Sequence, residues 1–286
     1  MDNIIEIKNL TKEYPGFKLD NISFNIPKGS IMGLIGENGA GKTTTIKLIL
    51  NIISKDKGKI KIFDKDNILK EIEVKEDIGV VLDDSFLSLY LSVTDINKIM
   101  KNFYNNWDSD LYFSYLKQFD LENKKIIKDF SSGMKMKLKI AIALAHHPKL
   151  LILDEPTSGL DPIFRNELLN IFRDFVSDDE HSILFSTHIT SDLEHVADYI
   201  TFIHQGKIIF SLDKDVLTDE FGLVKCNSKD FSRFDKEDYI KYQKLNYHYR
   251  VLVKDRKSFK AKYDIKTIDK PSLEDIMLTF IKGDRK

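Results

Sequence analysis

The sequence predicts an α/β protein whose centre is a largely parallel, twisted sheet covered by helices. Two observations carry that prediction. Short apolar runs at residues 30–35, 150–153 and 182–186 alternate with stretches of helical spacing, as parallel strands joined by crossover helices require. The first of these runs also leads straight into a glycine-rich loop, 36–42, and then a helix, 43–52.

Taken in order, residues 4–7 and 22–26 alternate apolar with polar side chains around the turn signal Pro15-Gly16, which predicts half-buried antiparallel strands forming an edge layer. Two more short strands are expected at 59–63 and 78–82. From Ser92 to His147 the apolar spacing, including Ile96, Ile99, Met100 and Phe103, is helical and predicts a helical subdomain. Asp161-Pro162 opens the helix between the strands at 150–153 and 182–186, with Asp as N-cap and Pro at the first helical position. Residues 199–204 and 207–210 read as a hairpin around Gln205-Gly206. After about Thr218 lysine and aromatic residues become common, 247–253 alternates as a strand, and Ser272 caps a final helix, so a small α/β appendage is expected.

Composition narrows the function. Hydrophobic residues make up 42% of the 286 and charged residues 31%, the balance of a folded soluble protein. The 44 basic and 45 acidic side chains leave a formal net charge of -1, so no global field draws the chain to nucleic acid or to an anionic membrane. Cys226 is the single cysteine, which excludes an internal disulfide and fits a reducing compartment. The N-terminal residues mix charges among apolar ones and lack the apolar run of a secretory signal. The most apolar region, 140–153, is interrupted at His146-His147-Pro148-Lys149, too early to span a bilayer. Any membrane crossing is expected from another chain.

Gly36-Glu37-Asn38-Gly39-Ala40-Gly41-Lys42-Thr43 has the spacing GxxxxGK[ST] between a strand and a helix, the context that makes such a match a P-loop. Glycines there let backbone N–H groups turn inward around phosphates, and the helix N-terminus adds positive partial charge. The expected nucleotide contacts are Gly36, Asn38, Gly39, Ala40, Gly41, Lys42, Thr43 and Thr44, with Lys42 on the β- and γ-phosphates and Thr43 on Mg2+. Residues 150–153 then deliver Asp154 and Glu155 at the carboxyl end of a buried strand, where open α/β sheets place ligands. By itself an acidic pair after a strand is more often a loop start. Downstream of a P-loop, Asp154 suits the Mg2+ shell and Glu155 suits activation of the attacking water.

At this point the chain resembles the ATPase subunit of an ATP-binding cassette (ABC) transporter, from its first strand to about Phe210. Residues 153–162, reading Leu-Asp-Glu-Pro-Thr-Ser-Gly-Leu-Asp-Pro, match that family's Walker B and D-loop text, and Ser186-Thr187-His188 matches its switch histidine. The resemblance implies a P-loop ABC ATPase core over 1–218, with an antiparallel β layer and a helical subdomain inserted at about 84–147, followed by the appendage at 219–286. It implies that Tyr14 stacks on adenine, that Asp161 bridges a dimer, and that His188 contacts the γ-phosphate and the attacking water. Phe130-Ser131-Ser132-Gly133-Met134 resembles the LSGGQ signature, from which it departs at three of five positions. Ser131 and Gly133, the parts kept, would clasp the γ-phosphate of a second subunit. Where the family carries its Q-loop glutamine this chain has Asp83 and Asp84, so Asp83 becomes a further candidate Mg2+ ligand.

The resemblance also implies partners: a second ATPase subunit, identical or related, and a separate membrane-spanning subunit that holds the protein on the inner face of the cell membrane. Phe86, Leu87, Leu89 and Tyr90 lie where relatives receive a helix of that subunit, although a helical-subdomain core accounts for them equally. Residues 154–210 and the short appendage resemble ATPases of bacterial multidrug or peptide exporters, and in overall character those of staphylococcal exporters of phenol-soluble modulins. The alternatives are a soluble ABC ATPase acting on DNA or ribosomes, which the absence of a long coiled coil or a second cassette disfavours, and a non-hydrolysing ATP sensor, which Glu155 and His188 disfavour. Lys135, Lys137 and Lys139 read as solvated positions on the signature helix rather than a nucleic-acid patch. No histidine spacing recommends a transition-metal site.

Overall fold

The protein is described by a computed structural model over residues 2–82, 88–122 and 125–284. The N-terminal layer is antiparallel. Strands β1 (Asn3–Tyr14) and β2 (Phe17–Pro27) turn at Pro15-Gly16, and β1 also pairs with β4 (Lys57–Ile62), which meets the two-residue β5 (Lys65–Asp66). Between them in sequence come β3 (Ile31–Ile35) and the P-loop helix α1 (Lys42–Ile49).

The central sheet begins with β3. After α2 (Glu71–Glu76) and β6 (Ile78–Val81), three helices form the helical region: α3 (Val93–Phe103), α4 (Ser109–Gln118) and α5 (Ser132–Leu144). Then follow β7 (Leu150–Asp154), α6 (Pro162–Phe175), β8 (Ser182–Thr187), α7 (Thr190–Val196), β9 (Tyr199–His204) and β10 (Lys207–Asp213). The six-stranded order is β10-β9-β3-β8-β7-β6, parallel throughout except for the β9–β10 hairpin. β3, β7 and β8 are buried along their whole length, which is why they read as unbroken apolar runs rather than alternating ones. This order places β3 beside β8, and β8 beside β7, so the P-loop, Asp154 and His188 all emerge at neighbouring carboxyl ends.

The helical region follows its local chemistry. Ser92 and Asp95 form a reciprocal capping box at α3, and Ser131 caps α5 by accepting from the Met134 N–H at 3.2 Å. Two of its lysines differ from the solvated positions expected of them. Lys137 donates to Phe119 O at 3.3 Å and lies 4.3 Å from the centre of the Phe164 ring, while Lys139 donates to Leu82 O at 2.8 Å. Both side chains are half-buried, with their amines meeting partners inside the fold. Leu89 and Tyr90 are exposed, at 42% and 76%; Asp83, Asp84, Phe86 and Leu87 lie outside the described residues.

Beyond β10 the chain builds β11 (Gly222–Cys226), α8 (Ser228–Ser232), β12 (Lys241–Lys244), β13 (Tyr249–Val253), α9 (Arg256–Tyr263) and α10 (Leu273–Lys282). Strands β11, β13 and β12 form a separate three-stranded sheet. One face has its own aromatic core around Phe231, Phe234, Phe259 and Tyr263. The other joins the main core, in which Leu273, Ile276 and Met277 share a continuous cluster with Leu193, Val196 and Phe202. Glu194 of α7 accepts from the Leu273 N–H at 2.8 Å, capping α10 from across the boundary. The appendage therefore packs as part of the core. Leu273, 1% exposed, is a sensitive position: Leu273→Ala is expected to cost about 2–5 kcal/mol in urea unfolding.

Candidate active site

Gly36 to Gly41 close over the start of α1. Gly36 must lack a side chain, since a Cβ there would fall 2.3 Å from the Ile203 carbonyl oxygen of β9. Gly39 and Gly41 have φ of 80° and 115°, left-handed backbone that glycine adopts without strain. Gly206 N–H donates to Ala40 O at 2.9 Å and Thr45 Oγ1 to Gly41 O at 2.8 Å, so the β9–β10 turn and α1 fix the loop from both sides. Asn38 and Gly39 stay exposed at its tip, and Thr44 is half-buried behind it.

Lys42 is buried, at 6% exposure. Its amine donates to Gly36 O at 2.8 Å and lies 3.3 Å from Glu155 Oε1. Asp154, 1% exposed, ends β7 with both oxygens engaged: Oδ2 accepts from Thr43 Oγ1 at 2.7 Å and Oδ1 from Ser186 Oγ of β8. Glu155 follows in left-handed backbone, φ 51°, held by its N–H to Ser186 O at 3.0 Å. For a side chain with a Cβ that conformation costs about 1–3 kcal/mol, and such strain gathers at functional sites. Its Oε2 lies 2.8 Å from His188 Nδ1; with the proton on Nδ1 the ring donates to Glu155 and leaves Nε2 as its other face.

Lys42, Thr43, Asp154, Glu155 and His188 are thus brought into one connected cluster. Tyr14 ends β1 opposite Phe17, whose ring lies against Gly41, so the 39%-exposed tyrosine stands on the flank of the P-loop. The remaining predicted residues are not joined to this cluster. Ser131 and Gly133 sit at the start of α5 beside Leu160, the nearest side chain to a Cβ built on Gly133, at 3.9 Å. Asp161 caps α6 by accepting from Ile163 and Phe164 N–H at 3.1 and 3.0 Å, and those bonds hold its carboxyl below the usual range. Asp83 lies outside the described residues. Sequence reasoning passed over two participants: Ser186 as a partner of Asp154, and a buried aspartate on α7, Asp192.

The residues fit Mg2+. A buried carboxylate and a threonine hydroxyl 2.7 Å apart are hard oxygen donors at the mouth of a phosphate loop. No group of three or more His, Cys, Asp or Glu that could hold a metal occurs among the described residues.

A glycine-walled anion cradle, a buried lysine, an aspartate on the neighbouring strand and a glutamate–histidine pair define a P-loop nucleoside triphosphatase. Comparison with known proteins narrows the class. A family model described as ABC transporter matches residues 19–158. The lantibiotic transport ATP-binding protein SrtF of Streptococcus pyogenes is 40% identical over 215 residues, which cover 74% of this chain and 92% of SrtF. The bacitracin transport ATP-binding protein BcrA of Bacillus licheniformis is 36% identical over 225 residues, covering 76% of this chain and 72% of BcrA. A solved ATP-binding subunit of an ABC transporter superposes with a TM-score of 0.68 at 27% identity, over 75% of this chain and 91% of that one. The chain belongs to the ABC transporter family, as an ATP-hydrolysing subunit that binds ATP with Mg2+.

The tight approach at Gly36 generates a prediction. Gly36→Ala forces the loop away from β9, and an overpacking strain of about 1–3 kcal/mol lowers ATP affinity by about tenfold or more. Equilibrium titration with a fluorescent ATP analogue measures it.

Proposed function

We propose that this subunit dimerises on ATP and powers export of peptide or drug-like amphipaths through a separate membrane-spanning subunit, which holds it on the inner face of the cell membrane. The observation that carries the reading is the Lys42–Glu155–His188 cluster beside Asp154, in a chain that spans 92% of a lantibiotic transport ATP-binding protein. The relatives named above are transport proteins, which gives the DNA- or ribosome-acting alternative nothing to stand on. No helix among the described residues is long and apolar enough to cross a membrane. An apolar cleft of about 540 Å³ between α2 and α3, lined by Ile72, Met100, Phe103 and Tyr104, supports docking to a membrane subunit, since Ile72 and Phe103 are exposed at 84% and 74%.

In this reading Tyr14 stacks on adenine and residues 36–44 wrap the phosphates, with Lys42 neutralising the β- and γ-oxygens. Thr43 and Asp154 would hold Mg2+, joined by Asp83, and the bound ion would supply positive charge to the phosphates. Glu155 takes a proton from the water that attacks the γ-phosphorus, and the bond to the β-bridging oxygen breaks, giving ADP and phosphate. His188 keeps the Glu155 carboxylate aimed and contacts the γ-phosphate and the attacking water. Ser131, Gly133 and Asp161, which lie away from this cluster, act on the site of the second subunit.

Three outcomes test the proposal. Glu155→Gln should lower turnover by about 100-fold or more while ATP binding persists, read by phosphate release and nucleotide titration; equal turnover removes Glu155 from the base role. Beyond its chain neighbours and its own helix backbone, a Cβ at Gly133 comes no nearer than 3.9 Å to another atom, so in Gly133→Ala thermal stability and ATP binding should stay at the parent values while turnover falls. Unchanged turnover there argues against a clasp formed by the second subunit. Cells lacking the protein should accumulate, or be inhibited by, amphipathic peptide antibiotics, with recovery by the parent but not by Glu155→Gln; no difference across a peptide panel would overturn the cargo assignment.

A further inference from the structure

Asp192 lies in α7, four residues after His188, and is 1% exposed. A buried carboxylate is costly unless its oxygens are matched. Both are. Oδ2 accepts from Thr157 Oγ1 at 2.6 Å, and Oδ1 accepts from Arg165 Nε at 2.6 Å, with the Arg165 Nη2 atom also at 2.5 Å. Arg165 Nη2 donates further to Ser191 Oγ at 3.0 Å.

The positions of these partners matter more than their number. Thr157, itself buried, stands two residues after Glu155 in the loop that leads to Asp161. Arg165 lies in the first turn and a half of α6, with its N–H bonded to Asp161 O at 3.0 Å. Asp192 therefore joins the segment that leaves Glu155, the helix that starts at Asp161, and the helix that follows His188. The 2.8 Å contact between Glu155 and His188 is made by side chains from exactly those two loops, so their relative placement is set by what holds the loops together.

We propose that Asp192 is a positioning residue for ATP hydrolysis: through Thr157 and Arg165 it locks the loop after Glu155 and the helix after His188 into one unit. The inference rests on the roles given to Glu155 and His188 above. Its physical basis is that displacing a catalytic group by about 1 Å can cost about 100-fold in rate. A purely structural ion pair would affect folding and leave the rate of the folded protein alone. Because Arg165 belongs to the same helix that Asp161 caps, the unit also carries any movement of the exposed 158–161 loop to the base and the histidine.

The test uses the purified full chain with ATP and Mg2+. Thr157→Val keeps the side-chain shape and removes only the donor to Asp192; Thr157→Ser restores it. Thr157→Val should lower kcat by about tenfold, with KM for ATP within about twofold and the unfolding midpoint near the parent value, and Thr157→Ser should recover the rate. Asp192→Asn should lower kcat at least as far, and the double variant Thr157→Val with Asp192→Asn should fall no further than Asp192→Asn alone, because both cut the same link. Parent-like kcat in Thr157→Val, a loss that serine does not recover, or losses that multiply in the double variant would each overturn the proposal. If Thr157→Val does not fold, Arg165→Gln at a partly exposed side chain replaces it, with the same expected fall in kcat at unchanged KM and the same overturning result. Glu155→Gln measured alongside separates the two failures: an active Glu155→Gln defeats the site reading, whereas an inactive one beside a parent-like Thr157→Val defeats the positioning role alone.

Discussion

The site is organised around one buried carboxylate. Asp154 ends β7 at 1% exposure, where an unmatched charge would be strongly disfavoured, and its two oxygens are matched from opposite sides by Thr43 and Ser186. Thr43 opens the P-loop helix and Ser186 lies on the adjacent strand. Satisfying Asp154 therefore fixes the P-loop, β7 and β8 relative to one another before any ligand is considered. Glu155 inherits its place from the same junction, because its N–H bonds to Ser186 O and its backbone turns left-handed immediately after the strand. Parallel pairing makes this possible: β7 and β8 run in register from Leu150 and Ser182 to Asp154 and Ser186, which puts the two polar residues side by side at the strand ends.

The same logic of close approach extends outward. Gly36 lets the P-loop lie against β9, and Gly206 at the β9–β10 turn returns a hydrogen bond to Ala40, so the hairpin at one edge of the sheet braces the loop at its centre. α7 is held by the Asp192 network towards α6 and by the Glu194 cap towards α10. The short helix after His188 is thus fixed by side-chain hydrogen bonds to both the main core and the appendage.

Much of this was legible in the sequence because it depends on buried strands and glycine loops, whose signals are local. The runs at 30–35, 150–153 and 182–186 became β3, β7 and β8 with ends shifted by a residue or so, and the Asp161-Pro162 and Ser272 caps became the starts of α6 and α10. Other elements were obscured for physical reasons. α9 is rich in lysine and buries only Phe259 and Tyr263, too narrow an apolar stripe to stand out from a charged linker. α2 is a six-residue helix with Val74 alone buried, and β12 has no fully buried residue. Lys137 and Lys139 were misleading because charge is read as exposure, whereas both are half-buried and their amines find partners within the fold. Asp192 left no sequence signal at all: an aspartate in the polar first turn of a short helix looks like an ordinary solvated residue until Thr157 and Arg165, distant in sequence, are folded against it.

α5 ties several parts of the fold together. Its N-terminus presents Ser131 and Gly133, and its middle grips other parts of the fold through lysines rather than through apolar side chains alone. Lys139 holds the Leu82 carbonyl just after β6, where Leu82 and Tyr104 line a second, smaller cleft with Ile52, Ile78 and Val80, and Lys137 crosses to the Phe164 ring of α6. Phe164 adjoins the α6 cap that Asp161 makes and lies one residue before Arg165, which reaches Asp192. α5 is thus tied to the segment after β6 by a hydrogen bond and to α6 by the Lys137–Phe164 contact, and α6 is tied to α7 by the Arg165–Asp192 ion pair.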